Sequence, residues 1–179
     1  MGCILDAPLL VSRIAGVLGG GRRGMVFLYE LNLAHELFCA VKVVDLVPEG
    51  NEEALRSELA TYALLQELQG LCIPRLLGIM ESPSGMRQGI ALQLLDNSVL
   101  GDDFRAWSEE QRRSAKSALM VLFERFHIRH NDIRGANFGV DRDTGNVLVF
   151  DLEDVSREPV SKKLADKYVK YVNSKLCLA

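Results

Sequence analysis

The feature that most constrains the fold is a polar segment in the second half of the chain. Residues 130–137 read H-N-D-I-R-G-A-N, and Asp151 follows 19 residues after Asp132 within V-F-D-L-E. Between them lie two apolar runs, Phe138–Val140 and Val147–Phe150, separated by the turn sequence D-T-G-N. This pattern predicts a β-hairpin. The fold must therefore place a polar loop, a hairpin and an acidic residue directly after one another.

The first part of the chain has the pattern of an antiparallel sheet followed by a helix. Three β-favouring runs, Ile14–Leu18, Met25–Leu31 and Leu37–Val44, are separated by turn signals and predict three successive strands. After a turn segment, a helix is predicted from Glu52 to about Leu68, with acidic residues in its first turn and a stop at Gly70.

Two further strands and two further helices are predicted downstream. Leu76–Met80 and Ile90–Leu95 are short apolar runs joined by a turn sequence. A connector at 97–103 leads to an amphipathic helix, Ser108–Phe126, which Ser108 would cap, and a lysine-rich helix is predicted at Ser161–Leu176. The predicted fold class is α+β, with a five-stranded antiparallel sheet and one helix ahead of a mostly helical part.

A glycine cluster lies between the first two predicted strands. Gly19, Gly21 and Gly24 have the spacing G-x-G-x-x-G, Gly20 lies inside the pattern, and Val26 follows it. Glycine would let backbone N–H groups approach phosphate oxygens, because no Cβ stands in the way. A plain glycine-rich hairpin turn is the alternative. The dinucleotide-binding fingerprint is disfavoured, since its glycines lie between a strand and a helix.

Lys42 stands in the middle of the apolar strand C-A-V-K-V-V. A buried charge needs a partner, and Glu58 is the best candidate because it shares a predicted helix face with Leu55, Tyr62 and Leu65. A strand lysine held by a helix carboxylate can reach phosphate oxygens. The alternative is that Lys42 extends to solvent from an edge strand and that Glu58 lies at the margin of the apolar face.

Together these motifs resemble the protein kinase superfamily. The catalytic loop of that family reads H-x-D-x-x-x-x-N, and its metal-binding aspartate follows a short hairpin, as Asp151 does here. The likeness runs from Ile14 to Glu153, and all five motifs come in family order. It implies a single kinase-like domain over 1–179 with a two-lobe fold: a five-stranded N-lobe at about 9–96 and an abbreviated, mostly helical C-lobe at about 97–179.

The resemblance implies an ATP- and Mg²⁺-dependent phosphotransferase and assigns roles to its residues. Asp132 would accept the proton of the attacking hydroxyl, Arg134 would contact the transferring phosphate, and Asn137 and Asp151 would hold the metal. His130 is expected to be a packed structural residue. Lys42 counts both as a catalytic and as a nucleotide-binding residue. The nucleotide-binding residues implied are Gly19, Gly20, Gly21, Gly24, Val26, Ala40, Lys42, Glu58, Leu94 and Leu95, the last two by backbone contacts to the adenine ring.

Three features depart from the family pattern. Glu153 stands where the family has glycine, Asn131 stands where many regulated kinases have arginine, and only 28 residues follow Asp151. The resemblance therefore predicts a C-lobe without the helices that normally form a peptide groove. Two alternatives stay open: a nucleotide-binding pseudokinase that recruits a partner, and a small-molecule kinase related to choline and ethanolamine kinases, whose H-N-D and D-x-E signatures also occur here.

Composition narrows the setting and the partners. The net charge of −3 and the pI near 5.7 give no basic surplus, so nucleic-acid binding is not expected. The four cysteines are scattered singly and no apolar run is long enough to span a membrane, which favours the cytoplasm or the nucleus. The expected partners are ATP and a protein, either a substrate or a chain that covers the reduced C-lobe.

Overall fold

The computed structural model of the chain describes residues 13–20, 23–32, 37–96 and 100–178. These residues form an α+β fold with a five-stranded antiparallel sheet and helices, which confirms the predicted fold class at that level. The chain divides into two compact units. Unit 1 consists of Met1–Ala60 and Arg75–Leu94, and unit 2 of Thr61–Pro74 and Leu95–Ala179.

Unit 1 is built on the five-stranded sheet. Every neighbouring pair of strands is antiparallel, in the order β1-β2-β3-β5-β4. The strands are β1 (Arg13–Gly20), β2 (Gly24–Asn32), β3 (Leu37–Asp45), β4 (Leu76–Glu81) and β5 (Arg87–Gln93). Each lies at a predicted run, although β5 begins three residues earlier and ends two residues earlier than predicted.

The two faces of this sheet carry different side chains, because successive strand residues point to opposite sides. Cys39, Val41 and Ala91 are fully buried together on one face. Burial raises the pKa of the Cys39 thiol to about 11, so this thiol stays protonated. Lys42 follows Val41 and therefore belongs to the other face, where its cross-strand partner on β5 is Ile90.

Helix α1 (Asn51–Leu64) begins after β3 with Glu52 and Glu53 in its first turn, as the helix dipole favours. The predicted end at Leu68 is wrong: the α-helix ends at Leu64 and a 3₁₀ turn, Gln66–Leu68, follows. The tighter turn lets the N–H groups at the end of the helix bond to carbonyls that an α-helix end would leave unpaired.

Unit 2 combines two helices with two short ribbons. Helix α2 (Glu109–Phe126) and helix α3 (Lys162–Lys175) lie close to their predicted bounds. The predicted hairpin is confirmed as β7 (Phe138–Val140) and β8 (Val147–Val149). A second ribbon pairs β6 (Ile128–His130) with β9 (Val155–Arg157). The sequence pattern had not indicated it, because three-residue strands are too short to show a period.

The core of unit 2 lies between α2 and the β7–β8 hairpin. Leu119 and Leu122 of α2 and Leu148 of β8 are completely buried, and α2 packs on β8. An aromatic cluster adjoins them, with ring centroids of Trp107 and Phe138 5.7 Å apart. The polar loop and Asp151 therefore flank a buried hairpin. Among the described residues, no helix is both long and apolar enough to cross a membrane.

Candidate functional site

The described part of the glycine cluster lies at the turn from β1 to β2. Gly19 and Gly20 end β1 and Gly24 begins β2, whereas Gly21 lies outside the described residues. A Cβ at Gly24 would stand 2.2 Å from the carbonyl oxygen of Val43, so sheet packing itself requires this glycine. At Gly19 a Cβ would meet no atom within 4 Å. Packing within the fold therefore does not require a glycine at position 19.

Lys42 and Glu58 form the ion pair that the sequence predicted. Lys42 Nζ lies 2.9 Å from Glu58 Oε2, and their side chains are 14% and 2% exposed. The interpretation in which Lys42 merely extends to solvent is therefore wrong. Such a pair fixes the ammonium group at one place on the sheet, because separating it would leave a buried carboxylate without its counter-charge.

Two smaller side chains share the sheet face of Lys42. Val26 is the cross-strand neighbour of Lys42 on β2, and Ala40 precedes Lys42 by two positions on β3, so all three point to the same side. Unit 1 thus brings together four predicted residues: an apolar pair, a lysine and its carboxylate partner. Leu94 and Leu95 directly follow β5, and Leu94 ends unit 1 while Leu95 begins the second segment of unit 2.

The predicted catalytic residues of unit 2 form one polar cluster after β6. Asp132 Oδ2 accepts a hydrogen bond from Asn137 Nδ2 at 3.0 Å and forms an ion pair with Arg134, whose Nε lies 2.8 Å away. Arg134 also approaches Asp151, with 4.0 Å between its terminal nitrogen and the carboxylate oxygen. Two carboxylates are thereby held around one guanidinium, which offsets their mutual repulsion.

Asn137 is the buried member of this cluster. The residue is only 3% exposed. Its side-chain amide nitrogen donates both to the Asp132 carbonyl at 2.9 Å and to the Asp132 carboxylate. The amide oxygen Oδ1 is thus the atom available to a cation. The turn needs Gly135, because a Cβ there would stand 2.3 Å from the carbonyl oxygen of Gly101.

His130 is buried, and its ring connects the backbone at Asp132 with the backbone of Phe150, the residue before Asp151. Its Nδ1 accepts the backbone N–H of Asp132 at 3.2 Å, so Nε2 carries the proton and donates to the Phe150 carbonyl at 3.0 Å. Burial lowers the pKa of His130, and bonding to Phe150 and nearby carboxylates oppose that shift. His130 is 1% exposed, which confirms the prediction that this residue is packed.

Asp151 follows Phe150 in a left-handed backbone conformation, with φ of 60°. For a residue with a Cβ this costs about 1 kcal/mol, and such residues concentrate at functional sites. Glu153, one of the predicted departures from the family pattern, is half-buried. Asn131 donates to the carboxylate of Asp154 at 3.0 Å and accepts from Ser156, so in this chain it braces the β6–β9 ribbon.

Sequence reasoning missed one residue next to this cluster. The hydroxyl oxygen of Tyr168, on α3, accepts the backbone N–H of His130 at 3.3 Å. The only signal available was an aromatic residue on the apolar face of an amphipathic helix, which normally indicates core packing.

Neither the protein-family models nor the curated proteins include a match to this chain.

Proposed function

We propose that this chain is a phosphotransferase of protein-kinase type that binds ATP with Mg²⁺ and transfers the terminal phosphoryl group to a protein hydroxyl. The observation that carries the proposal is the cluster of Asp132, Arg134, Asn137 and Asp151 in unit 2. In this proposal unit 1 corresponds to a kinase N-lobe and unit 2 to a reduced C-lobe.

The transfer step assigns one task to Asp132. The acceptor hydroxyl loses its proton to the Asp132 carboxylate as its oxygen bonds to the γ-phosphorus. The bond from that phosphorus to the bridging β–γ oxygen breaks, and ADP leaves with the electron pair. Asn137 donates to the Asp132 carboxylate and thereby orients it, and Arg134 places a positive charge 2.8 Å from it. Positioning and charge placement are what phosphoryl transfer needs most from a protein.

The donor atoms of the cluster fit Mg²⁺. This ion prefers oxygen ligands, commonly one or two carboxylates together with phosphate oxygens. Asp151 offers a carboxylate, and Asn137 offers its amide oxygen because both of its hydrogen bonds to Asp132 use the nitrogen. A bound Mg²⁺ would neutralise phosphate charge that develops during transfer.

Residues of unit 1 would bind the nucleotide. The Lys42 ammonium, held by Glu58, would contact phosphate oxygens. The backbone amides of the β1–β2 glycine turn would also contact phosphate oxygens, since the space beside Gly19 holds no other atom within 4 Å of a Cβ position. Val26 and Ala40 would provide an apolar surface for the base, and Leu94 and Leu95 would provide backbone contacts.

Thermal unfolding with and without Mg·ATP tests this proposal. A ligand that binds only the folded state stabilises it, by about 2.7 kcal/mol at a hundredfold excess over Kd. We expect the parent to shift to higher temperature and both Lys42→Met and Asp151→Asn to lose that shift. Each variant is compared with itself without ligand, so its intrinsic stability cancels. Asp103→Asn, the same substitution at an aspartate that pairs with Arg105 outside the cluster, should keep the shift.

A second measurement follows labelled γ-phosphate from ATP onto serine, threonine and tyrosine peptides. Transfer that Asp132→Asn abolishes supports the proposal in full. A nucleotide-dependent shift with no transfer would favour a nucleotide-binding pseudokinase. If the parent does not shift with Mg·ATP, the chain is not an ATP-dependent enzyme of this type.

A further inference from the structure

Helix α3 contacts the segment that leads into Asp132 through two tyrosines. The Tyr168 hydroxyl oxygen lies 3.3 Å from the backbone nitrogen of His130, and the Tyr171 hydroxyl lies 3.5 Å from the carbonyl oxygen of Asn131. Both contacts reach the backbone of the two residues that directly precede Asp132. The first is the stronger, because it is shorter and completely buried.

The Tyr168 ring is firmly held. The residue is 5% exposed, and its ring centroid lies 4.7 Å from that of Phe123 on α2. Val172, one turn further along α3, is fully buried. At the helix start, the Ser161 side chain caps α3 by accepting the N–H of Leu164 at 3.2 Å. The hydroxyl is therefore fixed by the helix and by α2, rather than being free to follow the loop.

His130 passes this constraint to Asp132. Its backbone N–H is held by Tyr168, while its ring bonds to the Asp132 N–H and to the Phe150 carbonyl. Both the backbone and the ring of His130 are thus anchored. A shift of His130 would move the backbone of Asp132 and the residue before Asp151 together.

We propose that Tyr168 is a positioning residue, whose hydroxyl fixes the position of Asp132 through the backbone of His130. This proposal rests on the phosphotransferase function proposed above. The ring alone would suffice to fill the core, since phenylalanine has nearly the same volume. The hydroxyl is needed for a different reason: without it the buried N–H of His130 has lost its acceptor, and the loop relaxes to find another. Helix α3 thereby acts as the support of the catalytic loop.

The test is Tyr168→Phe in the full chain, with two readouts. With a serine, threonine or tyrosine peptide as acceptor, ADP release from Mg·ATP should show kcat lower by about tenfold with an unchanged KM for ATP, because the nucleotide contacts remain while Asp132 is displaced. Amide hydrogen exchange should become about tenfold faster in the peptide that contains His130. The matched control is Tyr29→Phe, which removes a phenol hydroxyl from a half-buried tyrosine of β2 and should change neither readout.

The outcomes separate this proposal from the one it rests on. Faster exchange with reduced kcat and constant KM supports it, whereas an unchanged kcat or a proportional rise in KM overturns it. If the parent neither binds nor turns over ATP, the phosphotransferase function fails alone. In that case the exchange measurement on Tyr168→Phe decides. Unchanged protection of the His130 amide shows that Tyr168 does not hold the His130 backbone, and lost protection shows that it does.

Discussion

Lys42 and Glu58 show at the residue scale how one buried pair constrains the sheet of unit 1. Their charged atoms are 2.9 Å apart, with side chains 14% and 2% exposed. Replacing Lys42 with methionine leaves the Glu58 carboxylate buried without its counter-charge, so we expect the free energy of unfolding to fall by about 3 kcal/mol. Urea denaturation measures this loss.

The double variant Lys42→Met, Glu58→Leu is the informative comparison. Removing both charges removes the desolvation penalty too, so most of the lost stability should return. Arg56→Met breaks an ion pair whose side chains are 76% and 53% exposed, and this control should change stability by no more than about 0.5 kcal/mol. A double variant less stable than Lys42→Met alone would contradict this account of the pair.

His130 predicts a dependence of stability on pH. Burial lowers its pKa in the folded chain, below the ordinary value of about 6.5 in the unfolded chain. Between these two values the unfolded chain binds one more proton, so stability falls as the pH falls from about 6.5, with a slope of at most about 1.4 kcal/mol per pH unit. Above pH 6.5 this contribution is fully present.

Urea denaturation at pH 7.5 and pH 5 would measure this effect in the parent and in His130→Asn. The variant should be less stable at pH 7.5, since it loses the bond to the Phe150 carbonyl, and its loss between the two pH values should be smaller. If the free energy of unfolding falls equally in parent and variant between pH 7.5 and pH 5, the acid sensitivity comes from other groups.

At the scale of elements, α2 depends on a defined start. Ser108 accepts the N–H of Gln111 at 3.1 Å, and the Gln111 side chain accepts the N–H of Ser108 at 2.8 Å, which completes a capping box. We expect Ser108→Ala to lower the free energy of unfolding by about 1 kcal/mol. Ser117→Ala, at an exposed position inside the same helix, should not destabilise the chain. An equal effect of both would show that helix propensity, not capping, determines the result.

At the scale of the whole molecule, each of the two compact units has buried apolar residues of its own. Val41 belongs to the sheet cluster of unit 1 and Leu119 to the α2 core of unit 2, and both are 0% exposed. We expect Val41→Ala to accelerate amide exchange mainly in β3 and β5, and Leu119→Ala to accelerate it mainly in α2 and β8, because sub-global openings follow cooperative units. Exchange mass spectrometry resolves these segments. Acceleration of both units by either substitution would mean that they open as one.

The sequence by itself determined the types of most elements and the partners of the nearest polar groups. β-Favouring apolar runs separated by turn signals predicted the strands of the sheet, and the cap at Ser108 predicted the start of α2. The spacing of Glu58 on an apolar helix face identified the partner of Lys42, because a charge on that face has few alternatives. The hairpin before Asp151 was predicted as well, since its turn sequence and its flanking apolar runs are local signals.

Only the tertiary structure decided the rest. The β6–β9 ribbon joins segments that carry no period of their own, and α1 gives way to a 3₁₀ turn before the predicted end of the helix. The bond from His130 to Tyr168 spans 38 residues, and the approach of Arg134 to Asp151 also crosses the whole hairpin. Such contacts depend on how helices and ribbons pack in three dimensions. Local propensity and periodicity report only on neighbours within a few turns, so neither of them could have identified these contacts.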